Sequence, residues 1–455
     1  MSLAPRQRRL AFAALVVATV IAVLDISAIN LALPSIAADL GLGLDQVLWL
    51  SKANLLACAL LILPCAALGD ILGHRRLFKA GLLLFASMAL VMAVSSDLRL
   101  LIAARALQGC AAAAIMCSSL VLLREIFPAH RLGAALGLNA LFVAVATTLG
   151  PGLSGLILTL LAWRWIFALS LPLALVALAL GRAQLPEKRV PNSRFDSIGA
   201  ACLAGSALSS IAWYLGLGGA WPGLLTALLG VCFVLQQHRC RWPLLPLSLF
   251  DDLRFDYALG ASVCAFIGQS SVFILLPLVF QQSMGYDALT TAALFMPWPL
   301  MTAVVGPCAG RYADHRNPRA MASCGLAAFA LGLAALASMP ACASPIDILW
   351  RTAICGVGFG LFQSPNNREI LTHIAPVHAA RAAALLSAGR LLGQAIGSLL
   401  VGWACSAQEQ GATGKPSHDA FALLIGASAA LQIVSLATAF LLPSHSVDRT
   451  RTSQT

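Results

Sequence analysis

The chain has 455 residues, 60% of them hydrophobic and only 10% charged, against roughly 45–50% and 25% in an ordinary soluble domain; such a composition is solvated by lipid. Its formal net charge of +11 sits in short connectors between apolar runs and not on one face with interleaved aromatics, so the charge reports membrane topology and nucleic acid is excluded as a partner. The thirteen cysteines fall almost all within apolar runs without metal-ligand or redox spacing, and read as small buried hydrophobes.

The start, "MSLAPRQRRL", followed by an apolar run, imitates a secretory signal, and "SIAA" offers small residues for cleavage. The run over 10–33 is long enough to span and carries Asp25, so a retained first helix is expected. Apolar periodicity predicts five further spans at 46–68, 77–95, 98–122, 132–160 and 165–182, then two shorter ones at 198–217 and 221–236 after the polar "RAQLPEKRVPNSRFDS". A second polar connector leads to six more at 256–280, 288–309, 320–339, 346–364, 380–405 and 419–442. The predicted fold class is an all-α polytopic membrane protein with fourteen transmembrane helices: a six-helix bundle in 1–182, connectors and two additional helices in 183–254, a second six-helix bundle in 255–445, and a tail at 446–455.

Placing both termini in the cytoplasm puts twenty-two lysines and arginines on that side and only Arg99, Arg164 and Lys415 outside, with Lys52, Arg105, Arg351 and Arg390 inside spans. This is a positive-inside pattern. The halves also echo each other: Asp70 opens "DILGHRR" and Asp314 opens "DHRNPR" after the second span of each, while Arg105 and Arg351 sit early in each fourth span. Two parallel repeats enclosing a midplane site follow from that correspondence.

Within this frame a few residues stand out chemically. An ionised aspartate at a helix centre costs about 2.5–3.5 kcal/mol on insertion scales, so Asp25 needs a compensating reason. One is proton exchange with a cavity that opens to each side in turn; the other is a structural carboxylate bonded to a neighbouring helix. Asn30, five residues on, lies about 140° around the helix and is expected to pack against another face. Arg105, Gln108 and Gly109 in "AARALQGCAAAA" share one face, where the cation stabilises a carboxylate or bonds backbone carbonyls, and Gly109 permits close helix approach. Whether Arg105 reaches Asp25 is not written in the sequence.

In the fifth span, Gly150, Pro151, Gly152 and Gly155 of "TTLGPGLSG" predict a bent, tightly packed helix, read either as a hinge between access states or as a packing kink. In "SAGRLLGQAIGSLLVG", Gly389, Gly393 and Gly397 form a small-residue interface, while Arg390, Gln394 and Ser398 form a candidate cavity-lining polar stripe. Asp70 and Asp314 are candidates for helix caps or for a latch between the halves. No phosphate-cradling loop, histidine-rich metal cluster or hydrolase triad stands out, so neither a cofactor, nor a metal, nor an enzymatic activity is expected.

These stretches resemble the EmrB/QacA-like fourteen-span drug:proton antiporters of the major facilitator superfamily, over nearly the whole chain. "LDISAINLALPSI" is similar to that group's first-span signature, with Ser27 for a usual threonine, "RALQGCAAAA" to its fourth-span motif and "LGPGLSG" to its antiporter motif. "WRWIFALSLP" resembles the sixth-span entry with Ser170 for a usual asparagine, and "QQSMGYDALTTAALFMP", "GFGLFQSPNN" and "GRLLGQAIGS" match the second half.

The resemblance implies efflux of small lipophilic or amphipathic compounds in exchange for protons across a bacterial cytoplasmic membrane, driven by the proton gradient without a cofactor. Asp25 and Arg105 then take the proton-coupling positions, Gly150, Pro151 and Gly155 the antiporter hinge, and Asp70, Gly73 and Arg75, echoed by Gly310 and Asp314, the cytoplasmic gate. The gating motif departs at Ala66 and His74, where glycine and arginine are usual. The later spans show no acidic residue of the kind carried by relatives that expel dications, so divalent substrates are not expected. Substrates, protons and membrane lipid are the implied partners, and a periplasmic adaptor is left open. Two other readings remain beside this one: a dedicated exporter of one endogenous metabolite, and a receptor or scaffold that kept the fold and lost transport.

Overall fold

The computed structural model describes residues 4–181, 185–186, 196–214, 219–240, 243–245, 250, 252–313, 317–340, 343–372, 379–409 and 418–441. Joining short breaks within a span, the helices of the first half are α1 (Pro5–Leu40), α2 (Leu44–Leu72), α3 (His74–Val94), α4 (Leu98–Ile126), α5 (Ala129–Leu160) and α6 (Arg164–Gly181). A hairpin of α7 (Ser197–Tyr214) and α8 (Trp221–Arg239) follows. The second half holds α9 (Leu253–Ser283), α10 (Ala288–Ala313), α11 (Pro318–Ala337), α12 (Pro345–Thr372), α13 (Ala379–Glu409) and α14 (His418–Leu441). Among the described residues eleven of these helices are long and apolar enough to cross a membrane; α7, α8 and α14 are those that fall short.

Several helices outrun the apolar windows that predict them. The 36 residues of α1 extend about 54 Å at 1.5 Å per residue, well past a hydrocarbon core of about 30 Å. A helix does not end where hydrocarbon ends; it ends where the backbone is told to stop. Gly41 does so with φ 63° and Gly73 with φ 96°, conformations that a side chain disfavours. At the starts, Asp97, Asp252 and Asn317 accept the backbone N–H of Arg99, Arg254 and Arg319 at 3.1, 2.9 and 3.0 Å. Inside the helices, the hydroxyls of Thr147, Thr148, Ser154 and Thr159 turn back onto carbonyls four residues earlier, which gives each hydroxyl proton a partner within its own helix. Helix α5 runs unbroken through Pro151.

Packing repeats between the halves. In the first, α4 lies against α2 and α3, α1 against α5 and α6, and α3 against α6; eight helices later, α12 lies against α10 and α11, α9 against α13 and α14, and α11 against α14. The halves meet through α5 on α10, its counterpart α13 on α2, and α1 on α9. The hairpin stands beside this seam: α7 packs on α2, and the Asp196 carboxylate ties the hairpin together by accepting from Gly199 N at 2.8 Å and Gln237 Nε2 at 2.7 Å.

The seam is closed at the end of the bundle opposite Pro5 of α1 and Leu441 of α14. There a Cβ on Gly155 of α5 would stand 2.9 Å from the Ala288 carbonyl and 3.0 Å from Ala292 Cβ, so the two backbones touch through a glycine. The Lys52 ammonium of α2 occupies the notch left at Gly402 of α13. After Pro277, α9 widens into a π turn at Val279–Ser283, from which Gln281 Nε2 crosses to the Leu31 carbonyl of α1 at 3.1 Å.

Candidate functional site

Asp25 lies midway along α1 with only 3% of its surface exposed. Arg105 of α4, 1% exposed, donates from Nη1 to Asp25 Oδ2 at 2.5 Å. The same nitrogen donates to Gln108 Oε1 at 2.5 Å, while Nε donates to the Leu50 carbonyl of α2 at 2.8 Å. Phe167 of α6 lies 5.9 Å from the guanidinium carbon, so an aromatic face adds to the cation's surroundings. Asn54 Nδ2 in turn donates to the Arg105 carbonyl at 3.3 Å. Four helices thus converge on one charge pair.

Local sequence explains how they get there. Arg105, Gln108 and Gly109 share a helix face, as their spacing predicts, and Gly109 meets α2 so closely that a Cβ there would lie 3.1 Å from Ala57 Cβ. That approach brings the Leu50 carbonyl within reach of Arg105. Asn30 points elsewhere: its Oδ1 accepts from Ser51 at 3.1 Å, which joins α1 to α2. Burying two charges costs several kcal/mol per ion, recovered only when their remaining polar atoms are also satisfied. Arg105 approaches that condition, but Asp25 does not, because Oδ1 has no hydrogen-bond partner among the described residues. A proton can add at Oδ1, and doing so removes the charge that holds the guanidinium.

The antiporter-motif residues of α5 divide between two neighbours. Gly150 faces α1, where any Cβ would collide with Ser27, two residues from Asp25. Gly152 and Gly155 face α10, with Met296 Cε 3.2 Å from the Cβ position of the former. Pro151 lies between the two contacts. Helix α5 therefore touches both the charge pair's helix and the opposite half.

The remaining candidates stand apart from this site. Asp70 is half-exposed and its Oδ1 lies 3.1 Å from His74 Nε2, a contact within its own half. The buried His74 ring fills the space beside Gly69, so the histidine that departs from the gating motif has taken up a local contact of its own. Gly73 forms the elbow between α2 and α3, and Arg75 is half-buried in the first turn of α3. Gly310 faces Ser364 of α12, whose Oγ lies 3.4 Å from the Cβ position. Asp314 lies outside the described residues.

On α13, Gly389, Gly393 and Gly397 all face α9, and the Cβ position of Gly393 is 2.6 Å from the Val263 carbonyl. Arg390 donates to Asn367 Oδ1 and has Phe266 at 5.5 Å. Gln394 is half-buried and uses its backbone carbonyl to accept from Ser270 Oγ at 2.8 Å.

Arg351 sits early in α12 as Arg105 does in α4, but with different surroundings: it pairs with Asp347 one turn earlier at 3.0 Å and stacks on Trp350 at 4.8 Å. One sequence expectation needs correction: the later spans do carry an acidic residue. Helix α12 continues to Thr372, past the window that ended at 364, and Glu369 within that extension is buried. Lys52 and Gln281 at the seam also carried no sequence signal beyond lying in or beside an apolar run.

The comparisons with known proteins agree with this geometry. Residues 15–398 match the family model described as Major Facilitator Superfamily. The chain is 35% identical over 412 residues to "Uncharacterized transporter YebQ" of Escherichia coli (strain K12), covering 87% of this chain and 88% of the relative. It is 27% identical to "Riboflavin transporter RibZ" of Clostridioides difficile (strain 630), with 82% and 83% covered. It is likewise 27% identical to "Multidrug efflux pump LfrA" of Mycolicibacterium smegmatis, with 88% and 81% covered. A crystal structure of the peptide transporter POT in complex with sulfate superposes with a TM-score of 0.71 over 95% of this chain and 94% of that one, at 15% identity. An integral membrane protein built of apolar helices in two repeating halves, matched in these ways, is a transporter and not an enzyme, and the chain belongs to the Major Facilitator Superfamily.

Proposed function

We propose that this transporter is a proton-coupled exporter of small lipophilic or amphipathic compounds, with fourteen spans, both termini in the cytoplasm of a bacterial cell, and alternating access between its halves. The observation that carries the proposal is the buried Asp25–Arg105 pair with its one unpartnered carboxylate oxygen. A structural ion pair would gain from satisfying that oxygen; a proton carrier needs it vacant.

In this reading the seam through Gly155, Lys52 and Gln281 closes the outer side, and the conformation is open toward the cytoplasm. Protonation of Asp25 releases Arg105, whose bonds to Leu50 and Gln108 hold it on α2 and α4, and α1 is freed to shift against α5 through the Ser27–Gly150 contact. Deprotonation restores the pair. The driving force is adequate: one charge moved through about 100 mV supplies about 2.3 kcal/mol, which sustains a roughly fifty-fold gradient of a neutral compound. Exchange with a monovalent cation would lose this electrical contribution and depend on the pH difference.

The test is transport by purified protein in liposomes under an imposed pH gradient, over a panel of unrelated lipophilic compounds together with riboflavin. Movement of several compounds that stops when the gradient is collapsed is the expected result. Movement of a single member would indicate a dedicated exporter. No movement, with binding retained, would refute the proposal in favour of a receptor.

A further inference from the structure

Arg390 is a charge of the second half that the Asp25–Arg105 pair does not use, and its setting is the reverse of that of Arg105. Arg105 spends its nitrogens on the Asp25 carboxylate, Gln108 and the Leu50 carbonyl. Among the described residues Arg390 makes a single hydrogen bond, from Nη2 to the neutral amide oxygen of Asn367, and its guanidinium carbon lies 5.5 Å from the Phe266 ring centre. Its Nε is sealed off without a partner, while Nη1 is neither bonded nor sealed. A guanidinium in a low-dielectric interior is stabilised by a carboxylate, and no carboxylate among the described residues pairs with this one.

Helix geometry gives the direction in which Arg390 points. On α13, Gly389, Gly393 and Gly397 face α9, Leu391 and Ala395 join the core cluster that holds Leu55 and Cys58 of α2, and Leu392, Ile396 and Trp403 are exposed. At about 100° per residue, Arg390 and Gln394 fall between the α9 and α2 faces and away from the exposed side. Because α9 and α2 belong to different halves, that stripe looks into the space between them. Among the described residues α12 and α13 pack on neither α1 nor α4, so those helices do not fill the space from the other half. Ser398, one turn nearer the closed seam, is fully buried, whereas Gln394, Arg390 and Asn367 keep accessible surface.

We propose that Arg390, with Gln394 beside it, is the subsite that receives the carboxylate of an amphipathic organic anion entering from the cytoplasm. Arginine's fixed donors match a carboxylate, and the Gln394 side-chain amide, free of hydrogen bonds among the described residues, stands one turn away with an N–H to add. The fixed charge repels a cation for the same reason that it holds an anion. The inference deepens the proposed function, on which it rests for the ligand's apolar body and its side of entry. Exchanged for a proton, an anion leaves a negative interior as the proton enters it, so both movements run with the membrane potential.

The test is photolabelling of the purified full chain in nanodiscs of zwitterionic lipid with 4-benzoylbenzoate, ionised at neutral pH, against the neutral 4-benzoylbenzamide of the same shape, with labelled peptides located by mass spectrometry. The benzoate should label peptides of α9, α12 and α13 about tenfold more efficiently than the amide, the factor expected for one hydrogen bond to a charged group. Arg390→Gln should abolish that excess, and Arg390→Lys should retain part of it. Gln394→Glu, which keeps the arginine and gives it a carboxylate one turn away, should abolish the excess too, and serves if Arg390→Gln fails to fold. Equal labelling by both probes in the native chain, or an excess that survives Arg390→Gln and Gln394→Glu, would overturn the proposal. An Arg390-dependent excess without proton-driven transport would dismiss export and keep the subsite, whereas proton-driven transport with no such excess would dismiss the subsite alone.

Discussion

Adding one methyl group at Gly155 should open the outer seam. The Cβ of Gly155→Ala would stand 2.9 Å from the Ala288 carbonyl, 3.0 Å from Ala292 Cβ and 3.2 Å from Leu289 Cα, and two of these three atoms are backbone that cannot rotate away. Overpacking of this kind costs about 1–3 kcal/mol. Because α5 and α10 belong to different halves, the molecule can shed that strain by parting them, so the cost appears as a shift of about five- to more than a hundredfold in the ratio of open to closed conformers. Gly150→Ala is the comparison: its methyl collides with Ser27 of α1, inside one half, where parting α5 from α10 brings no relief. Spin labels at the exposed positions Gln46 and Ile346 report the separation of the halves at the closed end by pulsed electron resonance. Gly155→Ala should lengthen that distance, while Gly150→Ala should lower thermal stability and leave the distance unchanged. If both variants lose stability and neither moves the labels, the seam is not the joint that opens.

Other consequences follow from the same contacts. Gly402→Ala places a methyl 2.6 Å from Lys52 Cε; it should displace the ammonium and lengthen the Gln46–Ile346 distance as Gly155→Ala does, and an unchanged distance would show that Lys52 does not seal the seam. The Asp25–Arg105 pair should behave as a coupled unit. Arg105→Met alone should cost about 3–5 kcal/mol by leaving a buried carboxylate unpaired, and the double variant Asp25→Asn with Arg105→Met should recover most of that loss in thermal unfolding. Simple additivity of the two substitutions would mean that the pair carries no coupling.

Much of this architecture was legible in the sequence because a bilayer allows few solutions. Helix positions, the small-residue faces of Gly109 and of the Gly389, Gly393 and Gly397 series, and the separate bearing of Asn30 all follow from helix geometry, and the structure reproduces them, with eleven of the helices among the described residues long and apolar enough to cross a membrane. Helix ends were less legible, since hydropathy marks the hydrocarbon and not the backbone's stopping points; that is how Glu369 was assigned to a connector. The meeting of Asp25 and Arg105 was beyond sequence reasoning because it depends on how α1, α2 and α4 are rotated against one another. Spacing along the chain placed Arg351 as Arg105 is placed, but could not show that its surroundings differ, with Asp347 one turn away as a local partner. Lys52 and Gln281 were invisible because a polar residue near a span end looks like any other until the opposite half is brought against it.

The most direct test of the account is proton release on addition of a transported compound to purified protein in weakly buffered solution, comparing the native chain with Asp25→Asn. The account predicts a measurable release from the native protein and none from the variant, since the carboxyl that holds the proton is gone. Release that persists undiminished in Asp25→Asn would show that the proton is carried elsewhere and would contradict the assignment of Asp25.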